Sequence, residues 1–222
     1  MPTSRGQPAG AVIGKKLYVI GGYHKTPDPS DLGTVLNVTE ALDLGTQAWT
    51  TGASMPTARR GSAGLAVGST IRVMGGSNGP ALIDLIEAYH PFMDSWTKLN
   101  PLPRREEAVM AAWIDNGVYV WMDTQEELWL QVAGAGPWYQ MSSPPKVTNH
   151  AVLVEDESTL YLSGYNNFPL PGGPVLFSYD ATQDAWQEKA PPSLIRCNHG
   201  GVVLHGLVVV LSGETCAGQE AF

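Results

Sequence analysis

Five short apolar runs punctuate the chain, and four of them stop at a glycine: Leu17-Tyr18-Val19-Ile20 before Gly21-Gly22, Ile71-Arg72-Val73-Met74 before Gly75-Gly76, Leu160-Tyr161-Leu162 before Ser163-Gly164, and Leu207-Val208-Val209-Val210-Leu211 before Ser212-Gly213. The fifth, Val118-Tyr119-Val120-Trp121-Met122, has no glycine pair after it. Runs of four to eight residues rich in Val, Ile, Leu and Tyr, bounded by turn residues, predict buried β-strands. None approaches the roughly 20 apolar residues that a membrane-spanning helix needs. The pattern predicts an all-β chain.

The runs belong to a longer period. Trp49, Trp96, Trp138 and Trp186 recur at spacings of 47, 42 and 48 residues. Nine residues before three of these tryptophans stand Glu40, Glu87 and Phe177, and seven before two of them stand Tyr89 and Tyr179. A Pro-bearing stretch such as Met55-Pro56-Thr57-Ala58-Arg59-Arg60-Gly61 then opens the next copy. Each unit reads as four short strands, and a period of 40 to 50 residues signals a propeller. The expected blades are about 1–52, 53–99, 100–140 and 141–189, with a partial fifth over 190–222.

The Gly-Gly pairs at 21–22 and 75–76, the acidic-aromatic phrase, the fourth-strand tryptophan and the stretch at 55–61 resemble the kelch repeat. The resemblance implies one kelch-type β-propeller domain over 1–222, four full four-stranded blades plus a partial fifth in an incomplete or open ring. Blade three departs most, with Trp121-Met122 in place of Gly-Gly and Trp129 in place of the acid. A blade must bury both faces against its neighbours, so its inner strands are apolar throughout and one blade alone is unstable. Gly21, Gly22, Gly75 and Gly76 are expected where the backbone needs positive φ. Trp49, Trp96, Trp138 and Trp186 are expected to fill the wedges between blades, and truncating Trp49, Trp96 or Trp186 to alanine should cost about 3–5 kcal/mol.

Bulk properties narrow the function. With 43% hydrophobic and 15% charged residues, 25 glycines and 17 prolines, the 222-residue chain reads as an ordinary soluble β protein. A formal charge of −8 argues against nucleic-acid and anionic-membrane surfaces. Cys197 and Cys216 are too few for a disulfide scaffold and lack metal-ligand spacing. The residues Met1 to Gly6 lack the layout of a signal peptide, so a cytoplasmic location is expected.

Candidate chemistry lies in the loops. Counting back 17 positions from the end of the second strand gives Arg5 from Gly22, Arg59 from Gly76, Arg105 from Met122 and Arg196 from Gly213, with Val147 in blade four. Equivalent loops of a propeller share one face, so the guanidiniums are expected to form a ring. Kelch proteins that act as substrate receptors hold acidic peptides with arginines at similar positions. The resemblance thus implies a protein-interaction module, scaffold or adaptor that reads carboxylates or phosphates through Arg5, Arg59, Arg105 and Arg196. The alternative is that each arginine bonds its own blade's carbonyls or a neighbouring acid. His150 and His199 share a register but lack further ligands, and Glu40 and Glu87 are expected to support the blade, so neither a metal, a cofactor nor a catalytic residue is implied. The other class that the resemblance allows is a sugar-modifying kelch enzyme, like a sialic-acid epimerase or a galactose oxidase.

Overall fold

A computed structural model describes residues 1–26, 33–107, 109–145, 149–166, 173–191, 200–204 and 207–211. Among them there is no helix. The first sheet contains β1 (Ala9–Ile13) and β2 (Lys16–Ile20); a two-residue side ladder of β3 (Tyr23–His24) and β4 (Thr34–Val35) follows, before β5 (Thr39–Asp43) and β6 (Trp49–Gly52) complete the sheet in the order β1-β2-β5-β6. The second comprises β7 (Ala63–Val67), β8 (Thr70–Met74), β9 (Ile86–His90) and β10 (Ser95–Leu99), paired in chain order. The third comprises β11 (Val109–Ile114), β12 (Gly117–Met122), β13 (Glu127–Val132) and β14 (Tyr139–Gln140), and the fourth β15 (Asn149–Asp156), β16 (Thr159–Asn166), β17 (Gly173–Asp180) and β18 (Ala185–Lys189). β19 (Gly200–Leu204) and β20 (Leu207–Leu211) form a two-stranded antiparallel ladder. These sheets are the blades of a β-propeller fold, four of them four-stranded.

The chain divides into two compact units, Met1–Val109 and Met110–Phe222. In the first, Ala9, Tyr18, Ile20 and Ala41 of one sheet pack against Ile71, Val73 and Tyr89 of the next. In the second, Ala112, Tyr119, Trp121 and Leu128 pack against Leu153, Leu160, Leu162 and Tyr179. Each core is the sandwich between two consecutive blades, which is why a single blade cannot stand alone.

The glycine pairs behave as their chemistry requires. Gly21 and Gly22 have φ of 65° and 101°, and Gly75 and Gly76 have 63° and 99°. A Cβ on Gly21 would lie 2.6 Å from the Arg59 carbonyl oxygen, and one on Gly76 2.6 Å from that of Arg60. Positive φ and this close approach together exclude side chains. The amides so released bond across: Gly21 N–H to Val38 O at 2.9 Å and Gly22 N–H to Arg59 O at 2.9 Å, repeated as Gly75 to Leu85 O at 3.0 Å and Gly76 to Glu106 O at 2.7 Å.

That repetition corrects the register expected for the third blade. The carbonyl in the place of Arg59's belongs to Glu106, not Arg105. Two further bonds agree: Arg59 N–H to Leu36 O matches Glu106 N–H to Ile83 O, and Met55 N–H to Asn37 O matches Leu102 N–H to Asp84 O. Without a glycine pair to turn the chain, β12 stays in the ladder for one residue more, and Met122 still pairs with Glu127. The end of that apolar run therefore corresponds to the first glycine of the other blades, and counting back from it falls one residue short.

Candidate functional site

The loops that lead into the first strands contain a three-residue clasp, built twice. Thr3 Oγ1 donates to Glu40 Oε1 at 2.7 Å, while Arg5 Nη2 meets Glu40 Oε2 at 2.5 Å. Arg5 Nη1 donates to the carbonyls of Gly21 at 3.0 Å and Val38 at 3.1 Å. In the next blade Thr57 Oγ1 donates to Glu87 Oε1 at 3.0 Å, Arg59 Nη2 bonds Glu87 Oε2, and Arg59 Nη1 donates to Gly75 O at 3.2 Å and Leu85 O at 2.9 Å. Both guanidiniums are sealed, with side-chain exposure of 0% for each. Burial pushes the Arg59 pKa down, and the Glu87 carboxylate opposes that shift.

Each arginine thus spans the glycine pair, the start of the third strand and its acid, and bonds its own blade's carbonyls and acid. Glu40 and Glu87 are the other half of that contact, support for the blade. A charge this deep is tolerated because a carboxylate and two carbonyls face it.

Blade three keeps neither partner. Glu106, 1% exposed, stands where Arg59 stands, and Trp129 stands opposite Val120 as Glu87 stands opposite Val73. Arg105 consequently lies one position outside the clasp and is exposed, as is Arg104. Their loop is anchored at both sides: Leu102 is 3% exposed and bonds Asp84 O at 2.8 Å, and Glu106 O receives the Gly76 amide at 2.7 Å. The Pro103-Arg104-Arg105 tip projects between these anchors. The sequence signal for this register is the apolar-proline dipeptide, Met55-Pro56 and Leu102-Pro103, which repeats at the same interval as Trp49 and Trp96. Nearby, Arg60 sits over the Tyr23 ring at 5.0 Å and meets Glu107 Oε1 at 3.2 Å. Arg196 and His199 lie outside the described residues, as does Val147.

A second recurrent arrangement joins consecutive blades. Tyr89 O–H and the Ala53 amide both donate to Asp94 Oδ1, each at 2.6 Å, and Trp96 Nε1 donates to Ala53 O at 2.9 Å. Tyr179 O–H and the Ser142 amide donate to Asp184 Oδ1 at 2.7 and 2.8 Å, and Trp186 Nε1 donates to Ser142 O at 2.7 Å. The hairpin of one blade thereby grips the last strand of the blade before it. Burial, then the bond to Asp94, pushes the Tyr89 pKa up; burial, then Asp184, does so at Tyr179. The Ala53 amide, then the Tyr89 hydroxyl, holds Asp94 below its ordinary value. At Asp184 burial acts upward, but the Tyr179 and Ser142 bonds outweigh it and the pKa is lowered.

These aspartates went unread in the sequence, although Tyr-x4-Asp-x-Trp occurs twice, at 89–96 and 179–186. Trp49, Trp96, Trp138 and Trp186 are all half-buried, whereas Trp121 is wholly buried. The four repeat tryptophans therefore work at the blade margins, where Trp96 and Trp186 donate hydrogen bonds to the neighbouring blade. Among the described residues no group of three or more His, Cys, Asp and Glu side chains could hold a metal. Among the described residues no helix is long and apolar enough to cross a membrane.

Residues 4–56 match the Kelch motif family model, the stretch that holds Arg5 and Glu40 of the first clasp and the first glycine pair. Kelch-like protein 23 of Homo sapiens is 24% identical over 209 residues, 90% of this chain. Alpha-scruin of Limulus polyphemus is 28% identical over 170 residues, 69% of this chain. The chain thus carries a kelch motif and is similar to kelch proteins over most of its length. It spans 36% of the length of Kelch-like protein 23 and 18% of alpha-scruin. The solved structure of YjhT superimposes with a TM-score of 0.76 over 98% of this chain and 75% of that one, at 16% identity, which speaks to the fold alone. The Arg-Thr-Glu clasp and the Tyr-Asp-Trp grip are each built twice in this chain, and Arg104-Arg105 stand outside both.

Proposed function

We propose that this kelch-repeat chain is a protein-interaction module that docks acidic or phosphorylated peptide segments on the loop carrying Arg104 and Arg105. Its likeness to kelch-like proteins supports an interaction role in general. One observation carries the finer reading: two adjacent exposed arginines sit at the tip of a loop whose flanks are fixed by Leu102 and Glu106. A guanidinium offers a rigid fork to a carboxylate or phosphate, and a loop held at both anchors loses little freedom on binding. Of the four arginines expected to form a ring, Arg5 and Arg59 enter this reading as scaffold, since their donors face their own blades. Arg105 is the recognition residue.

The test is fluorescence anisotropy with a labelled Glu-rich peptide, its phosphoserine counterpart and a neutral Gln analogue. The wild-type chain should prefer the two anionic peptides, and Arg105→Ala should weaken them by about tenfold, equivalent to about 1.4 kcal/mol. Arg105→Glu should weaken them further, and added salt should reduce the preference. Equal binding of the Gln analogue, or full affinity in Arg105→Glu, would overturn the reading.

A further inference from the structure

Thr39 is the odd member of its position in the repeat. It stands ten residues before Trp49, and the residues ten before Trp96, Trp138 and Trp186 are Ile86, Leu128 and Leu176. Strand register agrees: Thr39 pairs with Ile20 and Gly52, as Ile86 pairs with Met74 and Leu99, and Leu176 with Ser163 and Lys189. The first blade thus has a hydroxyl where the other three have a hydrocarbon side chain. Thr39 is 1% exposed, as deep as Ile86. Its Oγ1 is sealed from bulk solvent and has no hydrogen-bond partner among the described residues. A buried hydroxyl left in that state forfeits its hydration with nothing in return, and native interiors satisfy such groups with protein atoms or ordered water.

Thr39 lines a crevice of about 140 Å3 between the first and second sheets, with Lys16, Tyr18 and Thr50 on its own side and Tyr89, Pro91 and Asp94 on the other. Both walls therefore belong to described strands and turns of this chain. Gly52 sets how closely the walls approach. Thr39 and Gly52 are cross-strand partners, so their side-chain directions share one face of the sheet. A Cβ on Gly52 would lie 2.4 Å from the Tyr89 hydroxyl oxygen and 2.9 Å from Asp94 Oδ1. The glycine admits the Tyr89 hydroxyl to the spot beside Thr39. That hydroxyl donates its proton to Asp94 at 2.6 Å and keeps acceptor lone pairs. Thr39 Oγ1 and the Tyr89 oxygen thus flank Gly52 without bonding each other.

We propose that this crevice is a water site, in which an ordered water bonds Thr39 Oγ1 and donates to the Tyr89 hydroxyl oxygen. The first and second blades are then joined by solvent at a position where the third and fourth are joined through Leu128. A water takes about 30 Å3 of liquid volume and needs two to four polar partners, and the crevice meets both conditions. Tyr18 lines the same space, and burial pushes its pKa up, which keeps it a neutral hydroxyl and a further partner. Peptide docking at Arg105 neither requires nor excludes this water.

Thr39→Val keeps the shape and removes the hydroxyl, so the sign of its effect decides. A hydroxyl without a partner gains by the change, and one bonded to ordered water loses by it. In urea denaturation of the full chain Thr39→Val should lower the folding equilibrium constant by about fivefold with an unchanged slope. Combined with Tyr89→Phe it should cost less than the sum of the two single changes, because one water serves both hydroxyls. A crystal structure of the wild-type chain should show the water within hydrogen-bond distance of Thr39 Oγ1 and the Tyr89 oxygen, and it decides alone should a variant fail to fold. Stabilisation by Thr39→Val, strictly additive losses, or a crevice without that water overturns the proposal.

Discussion

The second and third blades start from the same template and solve their interiors in opposite ways. The second buries a charge, Arg59, and surrounds it with Glu87, Thr57 and two carbonyls. The third puts Glu106 in the arginine's place and Trp129 in the glutamate's, replaces the threonine by exposed Arg104, and dispenses with the glycine pair. The second carries Tyr89 and Asp94; the third carries Gln131, which donates to Gly136 O at 3.0 Å, and Gly136 itself at the aspartate's position. The members of each polar set change together. A buried guanidinium without its carboxylate is far costlier than either the complete pair or an apolar substitute, so partial replacement is the arrangement to avoid.

The sharpest way to break that comparison is to make the partial replacement. Arg59→Ala leaves the Glu87 carboxylate, 5% exposed in its side chain, without its cation, and leaves the carbonyls of Gly75 and Leu85 without a donor. Loss of one partner of a buried pair costs about 3–5 kcal/mol. The double change Arg59→Met with Glu87→Leu removes both charges and should recover most of that loss. Urea denaturation of the two variants measures the difference. A double variant as unstable as the single one would show that the carbonyl bonds, and not the charge pair, hold the clasp.

A smaller effect separates the blade margins. Trp96 is half-buried, donates to Ala53 O and stacks obliquely on Tyr89, with ring centroids 5.1 Å apart. Trp96→Ala should therefore cost about 2 kcal/mol, roughly half the value for a fully buried tryptophan, with the hydrogen bond contributing about 1 kcal/mol of it. Trp138→Ala in the third blade should cost less, since its position faces the Gln131 register and not a Tyr-Asp pair. Thermal unfolding of the two variants side by side provides the check, and equal losses would remove the distinction between the blades.

Most of this architecture was legible because it is written in residues whose chemistry permits few alternatives. The apolar runs, the glycine pairs and the recurrent tryptophans mark strands, sharp turns and blade margins independently, and they agree in phase. The arginines were harder to read. A guanidinium in a loop has the same spacing whether it faces solvent or its own blade, and only the acid nine residues before the tryptophan, at Glu40 and Glu87, distinguishes the two. Where that acid is Trp129, the arginine is absent from the buried position as well. The one-residue slip at Arg105 has the same root: with no glycine to end β12, the strand runs on and its visible end stops being a fixed mark. Asp94 and Asp184 were overlooked because a single aspartate in a turn resembles any other turn residue. Their positive φ, 46° and 49°, and their cross-blade bonds appear only in three dimensions.

Those aspartates also supply the gentlest test, one that the third blade cannot answer. Asp94 and Asp184 are held below the ordinary aspartate value by hydrogen bonds that only the carboxylate can accept fully. A group whose pKa is depressed on folding contributes stability above its unfolded value, near pH 4, and loses that contribution as the pH falls through the folded value. The second and fourth blades should accordingly loosen in acid, starting below about pH 4. Gly136 gives the third blade no comparable titration at that position. Asp94→Asn should lower the urea midpoint at pH 6 and make little difference at pH 2, where the wild-type carboxyl is already protonated; Asp184→Asn should do the same. A gap between wild type and variant that stays constant from pH 6 to pH 2 would mean that the side chain's shape, and not its charge, secures the grip.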